Sequence, residues 1–262
     1  MYQGYRIGAI LLMGGSGIRF GGSTPKQFSL LGGKPLYTYA LKTFLEAGVF
    51  DEIVLICPRD WAENIKQFPK MRLAIGGATR QESSRLGLKA FGKVPEIVLI
   101  HDAVRPFVSE RILLENLDAA IEWGAADTCI PTADTLVHAP EGEWIASIPK
   151  REEFLRGQTP QTFRYEWIVE AHERAVQEGI SNVSDDCRLA IDLGRRVAVV
   201  RGSEENLKIT SEWDLNVAEG LLAIRGEKIE EGKSDGASSD QKGRIDVPAC
   251  QGGDGEGRED LT

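Results

Sequence analysis

From residue 7 to about residue 225, short apolar runs alternate with longer stretches in which apolar residues recur every three or four positions. Ile7–Leu12 (IGAILL), Glu52–Cys57 (EIVLIC), Arg72–Ile75 (RLAI) and Glu96–His101 (EIVLIH) are rich in Ile, Val and Leu and flanked by Gly or Pro. An apolar run without polar alternation predicts a strand covered on both faces, the pattern of a parallel sheet. Pro35–Ala47 instead places Leu36, Tyr39, Ala40, Thr43, Phe44 and Ala47 on one helical stripe, with Pro35 suited to the first turn and Gly48 to the stop. Glu82–Phe91, Ser109–Trp123, Tyr165–Gln177 and Ser211–Ile224 read as further helices. Strand and helix in alternation predict an α/β sandwich with right-handed crossovers. The alternation breaks from Thr132 to Phe163, where turn residues (Pro140, Glu141-Gly142, Pro149, Gly157, Pro160) separate short extended pieces at Thr135–His138 and Trp144–Ile148. That pattern predicts a β-hairpin arm, about residues 132–163, inserted in the body.

After Gly226 the pattern stops. Residues 226–262 hold ten acidic and five basic residues, eight glycines and no aromatic residue. Too little apolar area is present there to offset the entropy of ordering the chain, so a disordered acidic, Gly-rich tail is expected beyond a domain of residues 1–225. The whole chain of 262 residues carries 31 Lys+Arg against 40 Asp+Glu, a net charge of −9. The tail accounts for −5 of this and the body for −4. An acidic balance argues against nucleic-acid binding, so an anionic ligand must be met by a local cluster of cations. The apolar run Ile7–Met13 is too short to span a bilayer, and glycines follow it where a signal cleavage site would stand. Cys57, Cys129, Cys187 and Cys250 lie far apart without CxxC pairing, which predicts a reduced, cytoplasmic protein without a zinc or disulfide framework.

Three segments carry candidate chemistry. The first strand runs into Gly14-Gly15-Ser16-Gly17-Ile18-Arg19-Phe20-Gly21-Gly22, with Pro25-Lys26-Gln27 shortly after. Glycines there let backbone N–H groups close on phosphate oxygens. A dinucleotide fingerprint is missing its third Gly and the acidic end of strand two, where Cys57-Pro58 stands, and a P-loop is missing GKS or GKT. Arg19 and Lys26 lie on two sides of one loop and can converge on a polyphosphate, where cations stabilise developing charge. An incidental basic loop is the plain alternative. The second segment, Gly76-Gly77-Ala78-Thr79-Arg80-Gln81-Glu82-Ser83-Ser84, is either an anion-binding helix start or a simple cap. The third, His101-Asp102-Ala103-Val104-Arg105-Pro106, ends a strand, where open α/β sheets bind ligands. Asp102 can hold a divalent cation or a ribose hydroxyl, or merely pair with Arg105; His101 reads as a packed strand-end residue rather than a general base.

GGSGIRF…TPKQF, GGATRQES, HDAVRPF, Ala133–Thr135, Gly157–Phe163 (GQTPQTF), Ser184–Asp186 and Glu205–Thr210 (ENLKIT) follow one another in a familiar order. Over roughly residues 7–222 the chain resembles the 2-C-methyl-D-erythritol 4-phosphate cytidylyltransferases, whose close relatives are the ribitol 5-phosphate cytidylyltransferases. The resemblance implies a Rossmann-like nucleotidyltransferase sandwich with a mostly parallel sheet and an inserted β-arm. It implies CTP as substrate, Mg²⁺ as cofactor, and a glycine loop (Gly14, Gly15, Ser16, Gly17) around the triphosphate. It further implies catalytic Arg19 and Lys26 at the α-phosphate. Gly77, Arg80 and Ser83 would lie beside the cytosine and the loop. Asp102 and Arg105 would lie near ribose, metal and acceptor. Thr135, Arg151 and Lys208 would hold the phosphate of a sugar alcohol. The family's dimers imply a homodimer whose arm brings Arg151 to the partner's site.

The reaction so implied needs no enzyme nucleophile and no general base. An acceptor phosphate oxygen attacks the α-phosphorus of CTP in line and pyrophosphate leaves. The chain departs from the family at Leu12-Met13-Gly14, where Ala-Ala-Gly is usual, and at Cys187-Arg188, where small residues are common. Pro149-Lys150 stands before Arg151 where many erythritol enzymes have another pair, and HDAVRPF and GQTPQTF lean towards the ribitol enzymes. Methylerythritol phosphate is the expected acceptor and ribitol phosphate the alternative; a catalytically silent nucleotide-binding relative is a third reading, which the retention of five charged site residues opposes.

Overall fold

Ile7–Leu12 (β1), Glu52–Cys57 (β4), Met71–Ile75 (β5) and Ile97–Asp102 (β6) form the parallel heart of a seven-stranded sheet in the computed structural model, which describes residues 1–14 and 25–226. Its strand order is β5-β4-β1-β6-β8-β7-β9, completed by Ala125–Pro131 (β7), Leu155–Arg164 (β8) and Ala198–Arg201 (β9). β8 runs antiparallel between β6 and β7, while β7 and β9 are parallel. Leu30–Leu31 (β2) and Lys34–Pro35 (β3) make a separate small ribbon. The helices are Tyr37–Ala47 (α1), Arg80–Lys89 (α2), Glu110–Trp123 (α3), Tyr165–Gln177 (α4), Asp186–Asp192 (α5) and Glu212–Ile224 (α6). No helix among the described residues is long and apolar enough to cross a membrane.

The uninterrupted apolar strands have the cause expected of them. Along β1, Ile7, Ala9 and Leu11 join one buried cluster with Leu41 and Phe44 of α1 and Leu113 and Leu117 of α3. Ile10 and Leu12 join the opposite cluster with Leu88 of α2, Ile168 of α4 and Leu189 of α5. Successive residues point to opposite faces, and helices cover both. Full burial of each such Leu, Ile or Phe contributes about 1.5–3 kcal/mol before entropy is counted. α1 stops at Gly48 with φ 67°, and α3 at Gly124 with φ 92°, a backbone conformation open to glycine at little cost.

Four expectations are revised. Pro35 lies in the β2–β3 ribbon and α1 starts two residues later. β7, α5 and β9 are elements that the apolar pattern does not announce. The expected hairpin at 135–148 is reduced to a single bridge, His138 to Ser147. The segment from Leu155 onward belongs to the central sheet, because Gln158–Phe163 are buried between β6 and β7. The arm outside the sheet is thus narrower than 132–163. The expected tail beyond Gly226 lies outside the described residues.

Candidate active site

β1 is followed outward by β4 and β5 on one side and flanked by β6 on the other, so the strand order reverses between β1 and β6. Ligands of open α/β sheets sit beyond the carboxyl ends of the strands at such a switch point. Gly14 leaves β1 there and Asp102 ends β6 beside it, with Leu12 and Asp102 in register. Gly15, Ser16, Gly17 and Arg19 lie outside the described residues. Lys26 opens a 3-10 turn, Lys26–Phe28, pinned on both sides. Buried Gln27 donates its amide to the Met13 carbonyl at 2.5 Å, and Phe28 stacks on Trp61 at 4.4 Å between ring centres. Those two contacts hold Lys26 at the exit of β1.

The Gly76-Gly77 turn meets the same exit through Ser83. The Ser83 hydroxyl accepts the Gly77 N–H at 3.1 Å, and a Cβ on Gly14 would come within 3.3 Å of that oxygen. α2 begins there because Thr79 caps it, its hydroxyl accepting from the Glu82 N–H at 3.0 Å. Arg80, on the first turn, bridges two buried carboxylates. Its Nε lies 3.2 Å from Asp102 Oδ1 and its Nη1 2.6 Å from Asp186 Oδ2. Lys208 places Nζ 2.7 Å from Asp102 Oδ2. Burial opposes charge on Asp102, yet Arg80, Lys208 and Arg105 outweigh it and hold its carboxyl well below the usual range. Burial likewise opposes charge on Arg80, and Asp186 and Asp102 overcome it and raise its pKa. Asp186 is lowered against its own burial by Arg80 and His172. Arg105 is buried, which lowers its pKa; its Nη1 donates to the Asn206 carbonyl at 2.9 Å, and its buried Nε has no partner among the described residues.

His101 is fully buried behind this group. The Arg105 carbonyl can only accept, so His101 Nε2–H donates to it at 3.1 Å, and Nδ1 of the neutral ring accepts from the Thr159 hydroxyl at 2.9 Å. The same hydroxyl oxygen accepts the Asp102 N–H at 3.1 Å. Burial presses its pKa down to about 4, and the ring is a neutral strut, as the sequence suggested, not a base.

Of the expected site residues, Gly14, Gly77, Arg80, Ser83, Asp102, Arg105 and Lys208 converge on this one strand end, with Lys26 held at the exit of β1. Thr135 and Arg151 do not join them. Thr135 is exposed in the arm, and Arg151 donates to the Ala133 carbonyl at 2.9 Å. Among the described residues neither bonds to Asp102, Arg80 or Lys208. Asp186, Ser84, His172, Gln158, Gln161 and Asn206 enter the network although they were not singled out as site residues. Asp186 lies in the SDD segment, Gln158 and Gln161 in GQTPQTF, Asn206 in ENLKIT and Ser84 at the end of the Gly76–Ser84 segment, whereas no motif marked His172.

A divalent cation does not fit on Asp102 as it stands, because Arg80 and Lys208 engage its two oxygens. Asp127, Asp185 and Cys187 offer ligand atoms within 4.8 Å of one another. There too the carboxylate oxygens are engaged: Gln161 Nε2 donates to Asp127 Oδ1 at 3.0 Å and Asp185 Oδ2 at 2.7 Å. The Cys187 N–H bonds Asp185 Oδ1 at 2.8 Å, and Cys129 Sγ lies 3.6 Å from Asp127 Oδ2.

A glycine turn at Gly76-Gly77, a capped helix start and a cation-ringed carboxylate at a switch point are features with which α/β folds bind anionic ligands. A family model of 2-C-methyl-D-erythritol 4-phosphate cytidylyltransferase matches residues 7–224. The chain is 40% identical over 236 residues, 87% of its length and 98% of the relative's, to the 2-C-methyl-D-erythritol 4-phosphate cytidylyltransferase of Syntrophus aciditrophicus. It is 35% identical over 232 residues, 84% of its length and 99% of the relative's, to the ribitol-5-phosphate cytidylyltransferase of Lactiplantibacillus plantarum. The crystal structure of 4-diphosphocytidyl-2C-methyl-D-erythritol synthase from Anaerococcus prevotii matches with a TM-score of 0.74 at 31% identity, covering 83% of this chain and 98% of that one. The chain belongs to the 2-C-methyl-D-erythritol 4-phosphate cytidylyltransferase family. It is a nucleotidyltransferase, a cytidylyltransferase acting on a sugar-alcohol phosphate.

Proposed function

We propose that the protein transfers the cytidylyl group of CTP to 2-C-methyl-D-erythritol 4-phosphate, forming 4-diphosphocytidyl-2-C-methyl-D-erythritol and pyrophosphate for isoprenoid precursor synthesis in the cytoplasm. The observation that carries the reading is the Asp102–Arg80–Lys208 group at the strand end beside Gly14. The glycine turn, with Gly14, Gly15, Ser16 and Gly17, receives the triphosphate. Gly77, Arg80 and Ser83 flank the nucleotide. Arg19 and Lys26 neutralise charge as the acceptor's phosphate oxygen attacks the α-phosphorus in line. Asp102 holds Lys208 and Arg80 in place near the ribose, and Arg105 fixes the backbone that delivers Lys208. Mg²⁺ brought with the triphosphate would supply further neutralisation, and Asp102, whose two oxygens Arg80 and Lys208 engage, would not be its ligand.

Thr135, Arg151 and Lys208 hold the acceptor phosphate. Thr135 and Arg151 stand away from their own chain's site, which supports a homodimer in which the arm serves the partner. Exposed Val137, Trp144, Ile145 and Ile148 on that arm favour the same arrangement. Ribitol 5-phosphate is the second reading, favoured by the 35% identical relative and by the HDAVRPF and GQTPQTF segments.

Pyrophosphate release with CTP and Mg²⁺, offering the two acceptors in parallel, tests the proposal. Release with methylerythritol phosphate supports it; release with ribitol phosphate alone moves the protein to the second reading. Arg19→Ala or Lys26→Ala is expected to lower kcat about 10²–10³-fold, the cost of removing one preorganised charge-stabilising group. Full turnover by either variant would remove that residue from the role.

A further inference from the structure

β8 carries a local irregularity where the network needs it. In the β7–β8 ladder Asp127 faces Gln161 and Cys129 faces Gly157, so Thr128 stands opposite three residues, Gln158, Thr159 and Pro160. Such bulges re-aim side chains beside active sites. Gln158 inside this bulge and Gln161 at its edge are both buried, and each grips a different segment.

Gln158 holds the turn before Lys208. Its Oε1 accepts from the Ser203 N–H at 3.3 Å and from Asn206 Nδ2 at 3.2 Å, and its Nε2 donates to the Ser203 carbonyl at 2.8 Å. Asn206 Nδ2 also donates to the Thr159 carbonyl at 2.8 Å, while the Asn206 carbonyl receives Arg105. Lys208 leaves this clamped turn two residues later and reaches Asp102. Gln161 holds the start of α5. Besides donating to Asp127 and Asp185, its Oε1 accepts the Asp186 N–H at 3.1 Å. The Asp186 carboxylate, thus placed, takes Arg80 at 2.6 Å, Ser84 at 3.1 Å and His172 at 3.1 Å.

We propose that Gln158 and Gln161 are positioning residues with separate duties, Gln158 placing Lys208 and Gln161 placing Arg80 through Asp186. Both chains of contact end on the two oxygens of Asp102. The inference rests on the functional reading above, in which Arg80 serves the nucleotide and Lys208 the acceptor phosphate. Each glutamine therefore governs one substrate.

The test is a KM split with CTP binding measured separately by calorimetry. Gln161→Met is expected to weaken CTP binding about tenfold, equivalent to about 1.4 kcal/mol, and to raise the KM for CTP alike while the acceptor KM stays within about twofold. Gln158→Met is expected to raise the acceptor KM about tenfold and leave CTP binding unchanged. Equal effects of the two variants on both substrates, or lost active fraction with both KM values intact, would reduce the glutamines to structural supports and overturn the proposal. Ser84→Ala and Asn206→Ala are milder cuts in the same two chains and are expected to reproduce the same split should a methionine variant fail to fold. A wild-type protein that turns over neither acceptor defeats the functional reading, whereas unchanged CTP binding by Gln161→Met defeats the positioning role.

Discussion

Asp102 and Asp127 are both largely buried carboxylates, and their neighbours give them opposite character. Asp102 is ringed by cations and stays charged. Asp127 faces the Gln161 amide, which is neutral, and the like charge of Asp185; burial first, then Asp185, raises its pKa to about 6. Between about pH 4 and 6 the native state holds a proton that the unfolded chain has released. Stability from this group is therefore present at low pH and lost as pH rises through that window. Asp127→Asn keeps an oxygen for Gln161 and removes the charge. It is expected to stabilise the fold by about 1–3 kcal/mol at pH 7.5 and by little at pH 4, read from urea unfolding at the two pH values. A gain of equal size at both would mean that packing, not titration, is responsible.

Among the elements, α6 shows how a helix start is tied to the site-bearing loop before it. Ser211 caps the helix, and Asp214 reaches back to accept the Ser211 N–H at 2.9 Å and both the N–H and hydroxyl of Thr210, at 2.8 and 2.7 Å. Asp214→Ala leaves two backbone donors without that acceptor and is expected to cost about 1–2 kcal/mol in thermal or urea unfolding, with Asp214→Asn costing less. The elements that the sequence pattern did not announce have physical reasons for being silent. β7 reads AADTCIP, where Asp127 and Thr128 interrupt the apolar run because they serve Gln161, Asn116 and the Pro160 carbonyl. α5 has seven residues and β9 four, too few for a periodicity to emerge.

At the scale of the whole molecule, the arm is one part of the described chain whose apolar residues do not find the core. Trp144 is 76% exposed, with Ile145 and Ile148 beside it, and these residues carry the arm-mediated assembly proposed above. In the homodimer proposed above, Trp144→Glu is expected to shift the protein from dimer to monomer in sedimentation velocity and to lower turnover, because the proposed reach of Arg151 into the partner's site would be lost. A Trp144→Glu protein that remains dimeric and fully active would remove the arm from the assembly.

Periodicity alone determined much of this protein. Fully buried strands, helices on both faces and the acidic end of β6 follow from local pattern, since burial on two faces demands continuous apolar runs. The motif order added the family. Only the tertiary structure decided that Arg80 links Asp102 to Asp186, that His101 stands between the Thr159 hydroxyl and the Arg105 carbonyl, and that two glutamines of β8 reach loops 24 and 45 residues away. Those contacts join residues distant in sequence through buried hydrogen bonds, whose partners are chosen by the close packing of strands and helices rather than by any repeat along the chain.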